Sequence, residues 1–266
     1  MAELGVQGSD ELDIGVVAGL AERFRELHQR SHPLVLVNVW DAASARAVAA
    51  AGFSAVATSS RAVAASLGFD DDDSIPPDQA FAVVRRVARA VAVPVSADIE
   101  AGYQLPATDL VERLILAGAV GCNIEDTDHH GSGRLVSAEA QADRLAQIKA
   151  AAEAFGVDIV LNARIDVFRF TDDHAHVVGE AIERAQLYLL AGVDCVYPIR
   201  LADAALIAEF VSAVDGPVNI LARNAPTIPY LAQLGVARIS FADELFQITL
   251  AALSERLRAI ASELPA

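Results

Sequence analysis

Residues 116–122 read LAGAVGC, and the chain repeats this pattern as AAGFSAV at 50–56, LAGVDCV at 190–196 and QLGVARI at 233–239. In each copy a helix-periodic stretch ends at a glycine (Gly52, Gly118, Gly192, Gly235) and a short apolar run follows. Glycine supplies the left-handed conformation that terminates a helix, so every copy reads as a helix handing over to a strand. Outward from these junctions the same rhythm covers the chain. Strand-like runs fall at 34–38, 54–58, 93–98, 120–125, 158–164, 193–199, 216–221 and 237–241. Between them lie stretches such as TDLVERLILAG and HVVGEAIERAQLYLLAG, with apolar residues three and four apart. Strand, helix, strand at this spacing means parallel strands covered by helices, and eight such units close a (β/α)8 TIM barrel. The count of eight argues against an open doubly wound sheet. An extra helix precedes the first strand, in the segment up to Arg30, and a long one follows the last, at 243–264. No linker or shift of composition marks a second domain, so residues 1–266 read as one.

With 54% hydrophobic residues the chain can bury a large core. No run of about 18 uncharged apolar residues occurs, and the first 13 residues are acidic where a signal peptide is basic. The chain therefore reads as soluble and cytoplasmic. Cys122 and Cys195 each lie in an apolar strand-like run, which fits small core residues in a reducing compartment better than a disulfide. A formal net charge of −16 repels nucleic acid and anionic lipid alike, excluding both as partners. The run Asp70 to Asp73 is most simply a solvated loop.

Chemistry in such a barrel belongs to the C-terminal ends of the strands, and polar residues collect there. In SADIEAGY (96–103) Asp98 and Glu100 share one face of a strand end, and Glu125 ends the neighbouring strand. Like charges that close need a cation between them, either an arginine or a divalent metal. Three carboxylates suit a hard, mostly hydrated Mg2+, with Mn2+ as a substitute, and no cysteine or histidine pair has a zinc-like spacing. Asn162 and Arg164 alternate with Ala163 and can both face the barrel axis. Arg164 there would either grip a substrate carboxylate in bidentate fashion or pair internally with Glu125. Trp40 and Asp41 follow the first strand as candidate substrate contacts, although Asp41, like Asp166, has the alternative of a turn or cap residue. These residues alone describe a metal-dependent barrel enzyme.

The segments SSRAVAASLGFDD, PVSADIEAGY, IEDTDHHGSGRL and NARIDVF, in this order and spacing, resemble the phosphoenolpyruvate mutase and isocitrate lyase superfamily. The similarity runs from residue 38 to residue 240. It implies a (β/α)8 barrel in which Mg2+ helps bind a 2-oxo acid or its enolate while a C–C or P–C bond is broken or made. Asp98, Glu100 and Glu125 match the metal-site acids of the family, and Asp71 matches the aspartate that follows its SLG segment. Ser59, Ser60 and Arg61 match the loop whose backbone N–H groups hold the substrate carboxylate, and Arg164 matches the arginine of that site. The resemblance further implies a homo-oligomer, dimers paired into tetramers, with the C-terminal helix packed on or swapped with a neighbouring subunit.

Departures bear on the reaction. Isocitrate-type lyases carry a KKCGH or KRCGH lid whose cysteine moves the proton. Here the lid reads HHGSGRL, without a thiol and without the lysine and asparagine of phosphonopyruvate-type members. His129 and His130 are the nearby side chains whose ordinary pKa suits proton transfer. Arg61 replaces a usually small residue. The expectation is a Mg2+-dependent lyase cleaving a C–C bond of a small 2-oxo or 2-hydroxy di- or tricarboxylate. P–C chemistry (phosphonopyruvate hydrolase or phosphonomutase type) and a non-catalytic metabolite-binding barrel are the alternatives.

Overall fold

A computed structural model describes residues 13–28 and 32–264. Its strands are β1 (Leu34–Val39), β2 (Val56–Thr58), β3 (Val95–Asp98), β4 (Gly121–Glu125), β5 (Val160–Ile165), β6 (Cys195–Pro198), β7 (Asn219–Leu221) and β8 (Arg238–Ser240). All eight expected strands are present, each within a few residues of its expected bounds. They run parallel in the order β6-β5-β4-β3-β2-β1-β8-β7. A parallel bridge between Val196 and Val218 brings the two ends of that order together, so the barrel is nearly closed.

The helices are α1 (Ile14–Glu26), α2 (Ala42–Ala50), α3 (Ser60–Leu67), α4 (Pro77–Ala90), α5 (Ala107–Leu116), α6 (Ala138–Phe155), α7 (His174–Leu190), α8 (Ala204–Ala213), α9 (Ile228–Gln233) and α10 (Glu244–Ala261). A 3-10 turn, Val167–Arg169, follows β5. At the end of α5, Gly118 has φ 84°, its N–H reaches Ile115 O at 2.8 Å, and Ala119 N reaches Leu114 O at 3.0 Å. These bonds satisfy carbonyls the helix would leave open, at a φ that favours glycine. The other three repeat glycines also have positive φ. Ser137 caps α6 by accepting from Ala140 N at 3.2 Å.

The apolar faces of strands and helices form a continuous core, and both cysteines are buried in it as free thiols. Helix α1 closes the N-terminal end of the barrel. Phe24 is fully buried beneath the Arg238 guanidinium, 6.0 Å from ring centroid to Cζ. Arg25 bonds Asp194 at 2.8 Å and Asp158 at 2.9 Å, just before β6 and β5. Helix α1 stops at Glu26, and Arg30, where the sequence reading carries it, lies outside the described residues. Helix α10 leaves the barrel after Phe246, its remaining residues exposed. Among the described residues no helix is long and apolar enough to cross a membrane.

Candidate active site

Strand parity builds the site. Asn38, Asp98, Asn123, Arg164, Tyr197 and Ser240 point inward near the C-terminal ends of their strands and line a cavity of about 330 Å³. The start of α3 adds Ser59, Ser60 and Arg61, the 3-10 turn Arg169, and loops Asp71, Arg200, Arg223 and Asp243. Among the described residues, the non-glycine ones in the left-handed region are Asp73, Glu100, Tyr103, Gln104, Arg200, Asn224 and Ala242. They sit in the α3–α4 loop or just after β3, β6, β7 and β8, all at this end of the barrel. Each costs on the order of 1 kcal/mol, and such strain concentrates where a site is held in one geometry.

Asp98 is clasped by its own chain. Its Oδ2 accepts from Ser60 N and from Ser60 Oγ, both at 2.9 Å, and its Oδ1 faces Asn123 Nδ2 at 3.3 Å. Glu100 is buried at φ 52°. One carboxylate oxygen accepts from Asp73 N, and Oε1 has no partner. Burial, then the charges of Asp71, Asp73 and Glu125, push its pKa up to about 9 despite the bond from Asp73. Asp71 accepts from Arg61 Nε at 3.2 Å on one oxygen and has no partner on the buried Oδ1. Asp73 accepts from Tyr103 N at 3.0 Å and from the His130 ring at 2.9 Å.

Carboxylate oxygens are the donors that a hard cation such as Mg2+ takes. The orphaned atoms of this group are carboxylate oxygens, Asp71 Oδ1 and Glu100 Oε1, although Asp71 also pairs with Arg61 and Asp73 with His130. Among the described residues no three acidic, histidine or cysteine side chains converge on one point. A cation there would keep most of its ligands as water, as Mg2+ commonly does.

Glu125 stands differently from its two partners in the sequence. Register places it opposite Arg164 on β5, and the two form a buried ion pair. Arg164 Nε also donates to Asp166 at 2.7 Å, and Arg169 Nη1 reaches Asp166 at 2.7 Å and Glu125 at 3.5 Å. Burial alone would raise Asp166, but Arg164 and Arg169 hold it well below the usual carboxylate range, so it is the firm counter-ion of the group. His129 bonds Glu125 through its ring, and that hydrogen bond, against burial, raises the histidine pKa. Glu125, His129, His130 and Asp73 line a second hollow of about 360 Å³ instead of the first.

Other expected contacts are redistributed. Asp41 is the N-cap of α2, accepting from Ser44 N at 2.7 Å while Ser44 Oγ answers in a capping box, and Trp40 packs edge-on against Phe246 at 5.2 Å. Neither lines the cavity. Asn162 lies under its floor, donating to Asn123 Oδ1 at 2.8 Å. Ser59 N is bonded to Val39 O at 3.0 Å and Ser60 N to Asp98, so neither is free for a substrate carboxylate. Two of the three N–H groups expected to hold substrate, those of Ser59 and Ser60, hold the protein's own groups in this arrangement.

The site residues expected from the sequence follow the first five strands only. The structure adds Tyr197, Arg200, Arg223, Ser240 and Asp243 after or at the ends of β6 to β8, with Arg169 beside β5. The signal was available in the first polar residues after each strand, YPIR at 197–200 and LAR at 221–223.

The sequence pattern of the phosphoenolpyruvate phosphomutase family matches residues 24–261. An uncharacterised Mycobacterium tuberculosis protein is 31% identical over 89% of this chain and 88% of its own length. The 2-methylisocitrate lyase of Escherichia coli K12 is 31% identical over 82% of this chain and 76% of its own. A Burkholderia cenocepacia structure, provisionally named a phosphonomutase, superposes with a TM-score of 0.85 at 38% identity over 90% of this chain and 98% of that one. The chain thus belongs to the phosphoenolpyruvate phosphomutase family, and with it to the lyases and mutases of the phosphoenolpyruvate mutase/isocitrate lyase superfamily.

Proposed function

We propose that the cavity takes a small 2-oxo or 2-hydroxy di- or tricarboxylate together with Mg2+ and breaks one of its C–C bonds through an enolate. The observation that supports this best is a cluster of acids with orphaned oxygens beside a cavity lined by Arg61, Arg164, Arg169, Arg200 and Arg223. The acids suit a hard cation and the arginines suit carboxylates. In this reading Asp98 and the free oxygens of Asp71 and Glu100 hold Mg2+ or Mn2+, largely through water, with Glu125 behind them. Bound there, the cation supplies positive charge for an enolate oxygen. Arg164, fixed by Asp166 and Glu125, presents a preorganised charge to the substrate carboxylate, and Ser60 and Arg61 border the same group at the N-terminus of α3. The enolate takes its proton from His129 or His130 once the loop at 127–135 folds over the cavity.

The E. coli relative's name supports C–C cleavage of a branched tricarboxylate or a close analogue. The Burkholderia structure's name favours P–C cleavage as a second reading. One experiment separates them. The protein is incubated with Mg2+ and oxaloacetate, substituted malates, methylisocitrate or phosphonopyruvate, and pyruvate release is followed. Release from a carboxylate substrate, abolished by chelation and restored by Mg2+ or Mn2+, is the expected result, and Asp98→Ala folds but fails. Undiminished turnover in excess chelator, with metal-free protein confirmed by elemental analysis, overturns the metal assignment. Release from phosphonopyruvate alone, or its conversion to phosphoenolpyruvate followed by phosphorus NMR, selects the second reading. A cytoplasmic location accords with the buried free thiols.

A further inference from the structure

The five arginines of the cavity differ in what neutralises them. Arg61 pairs with Asp71, Arg164 with Glu125 and Asp166, Arg169 with Asp166, and Arg223 with Asp243 at 2.7 Å. Arg200 lines the same cavity, and among the described residues its side chain has no ion-pair or hydrogen-bond partner. Arg200, exposed at the cavity's rim, is thus the one of these five arginines that no acid pairs with.

Its backbone is exceptional too. Leu201 N donates to Pro198 O at 3.2 Å, closing a tight turn directly after β6, and Arg200 occupies the third position of that turn at φ 67°. Glycine is the residue that position favours. A long, charged side chain stands where the backbone would be more relaxed with glycine. The turn aims it from the barrel rim, while Asp98 and Arg164 approach the cavity from β3 and β5.

We propose that Arg200 is the specificity residue that binds the distal carboxylate of the substrate, the one remote from the carboxylate held near Arg164. The inference rests on the reading that the site takes a di- or tricarboxylate, and it names the group that reads the second charge. A guanidinium matches a carboxylate with two parallel N–H donors, and an unpaired one has no internal acid to displace. The cavity therefore discriminates against 2-oxo and 2-hydroxy acids that end in a methyl group.

The test measures binding without turnover. Malate and 2-hydroxybutyrate have the same chain length and differ in a carboxylate against a methyl group. Calorimetric titration of each into the Mg2+-supplemented protein is expected to show malate at least tenfold tighter. Arg200→Gln should weaken malate about 10- to 100-fold, leave 2-hydroxybutyrate within about twofold, and so erase the preference. Arg200→Lys should restore part of it. A malate preference that survives in Arg200→Gln overturns the proposal, as does a parent protein that binds both ligands equally or binds no malate. Failure of pyruvate release would instead remove the proposed reaction while this comparison still decides the role of Arg200.

Discussion

At the scale of residues, burial without a partner distinguishes side chains that the sequence presents alike. Arg238 is fully buried inside the barrel, where Nη2 donates to Asn123 Oδ1 at 3.0 Å while Nε and Nη1 find no protein partner. Since Asn123 Oδ1 also accepts from Asn162, its amide must turn Nδ2 towards Asp98. Arg238 thereby orients, through one amide, a carboxylate of the candidate metal site. His28 is the other case. Its Nδ1 lies 2.9 Å from Phe24 O, its Nε2 is buried and unpartnered, and burial followed by the Arg238 charge lowers its pKa to about 4. The unfolded chain, with an ordinary histidine pKa of about 6.5, binds more protons between these values. The stability contributed by neutral His28 is therefore complete above pH 6.5 and lost as the pH falls towards 4. Between pH 7 and pH 5 the parent should lose about 2 kcal/mol more than His28→Gln, read from urea midpoints. Parallel losses in the two proteins would refute it.

At the scale of elements, α10 and β4 carry the clearest consequences. Phe246, Leu250, Leu253, Leu257, Ile260 and Leu264 follow one another at alternating spacings of four and three, the seam of a packed helix. All but Phe246 are at least 40% exposed, and the barrel covers only the first turn. Such a stripe is expected to be buried on a second copy of the chain. Light scattering should report dimers or tetramers, and Leu253→Asp with Leu257→Asp should yield monomers. A monomeric parent at micromolar concentration would end this expectation. In β4, a Cβ on Gly121 would sit 2.6 Å from Val160 O and 3.0 Å from the Phe24 ring. Backbone on one side and a buried ring on the other leave little room to yield. Gly121→Ala should cost about 3 kcal/mol or more in chemical denaturation, through overpacking alone.

At the scale of the whole molecule, stability and chemistry occupy opposite ends of the barrel. The strained non-glycine residues lie at the C-terminal end, and the plug formed by α1 closes the N-terminal end. Removing the plug should thus damage stability more than the site, which it reaches only through Arg238 and Asn123. Phe24→Ala is expected to cost about 3–5 kcal/mol through the cavity it opens. Ligand affinity at the far end should stay within about twofold, measured below the lowered Tm. A comparable loss of affinity would show that the two ends are coupled.

The periodicity of apolar residues, the glycines between helix and strand, and the count of eight strands are local properties, so the barrel was legible in the sequence. Acids at the ends of β3 and β4 were legible for the same reason, because alternation along a strand puts them on the axis. Partnership was legible only as a choice. Arg164 could be read as a substrate clamp or as the partner of Glu125, and the register of β4 on β5 makes the pair, 39 residues apart in the chain, which separates Glu125 from the orphaned oxygens of Glu100 and Asp71. Ser59 and Ser60 were recognisable as a loop at a helix start, yet only the fold spends their N–H groups on Val39 and Asp98. Arg200 looks in the sequence like any other surface arginine. Its turn after β6 and its place on the cavity without an ion-pair partner exist only once the strands close, since charges are neutralised by neighbours in space and not by neighbours in the chain.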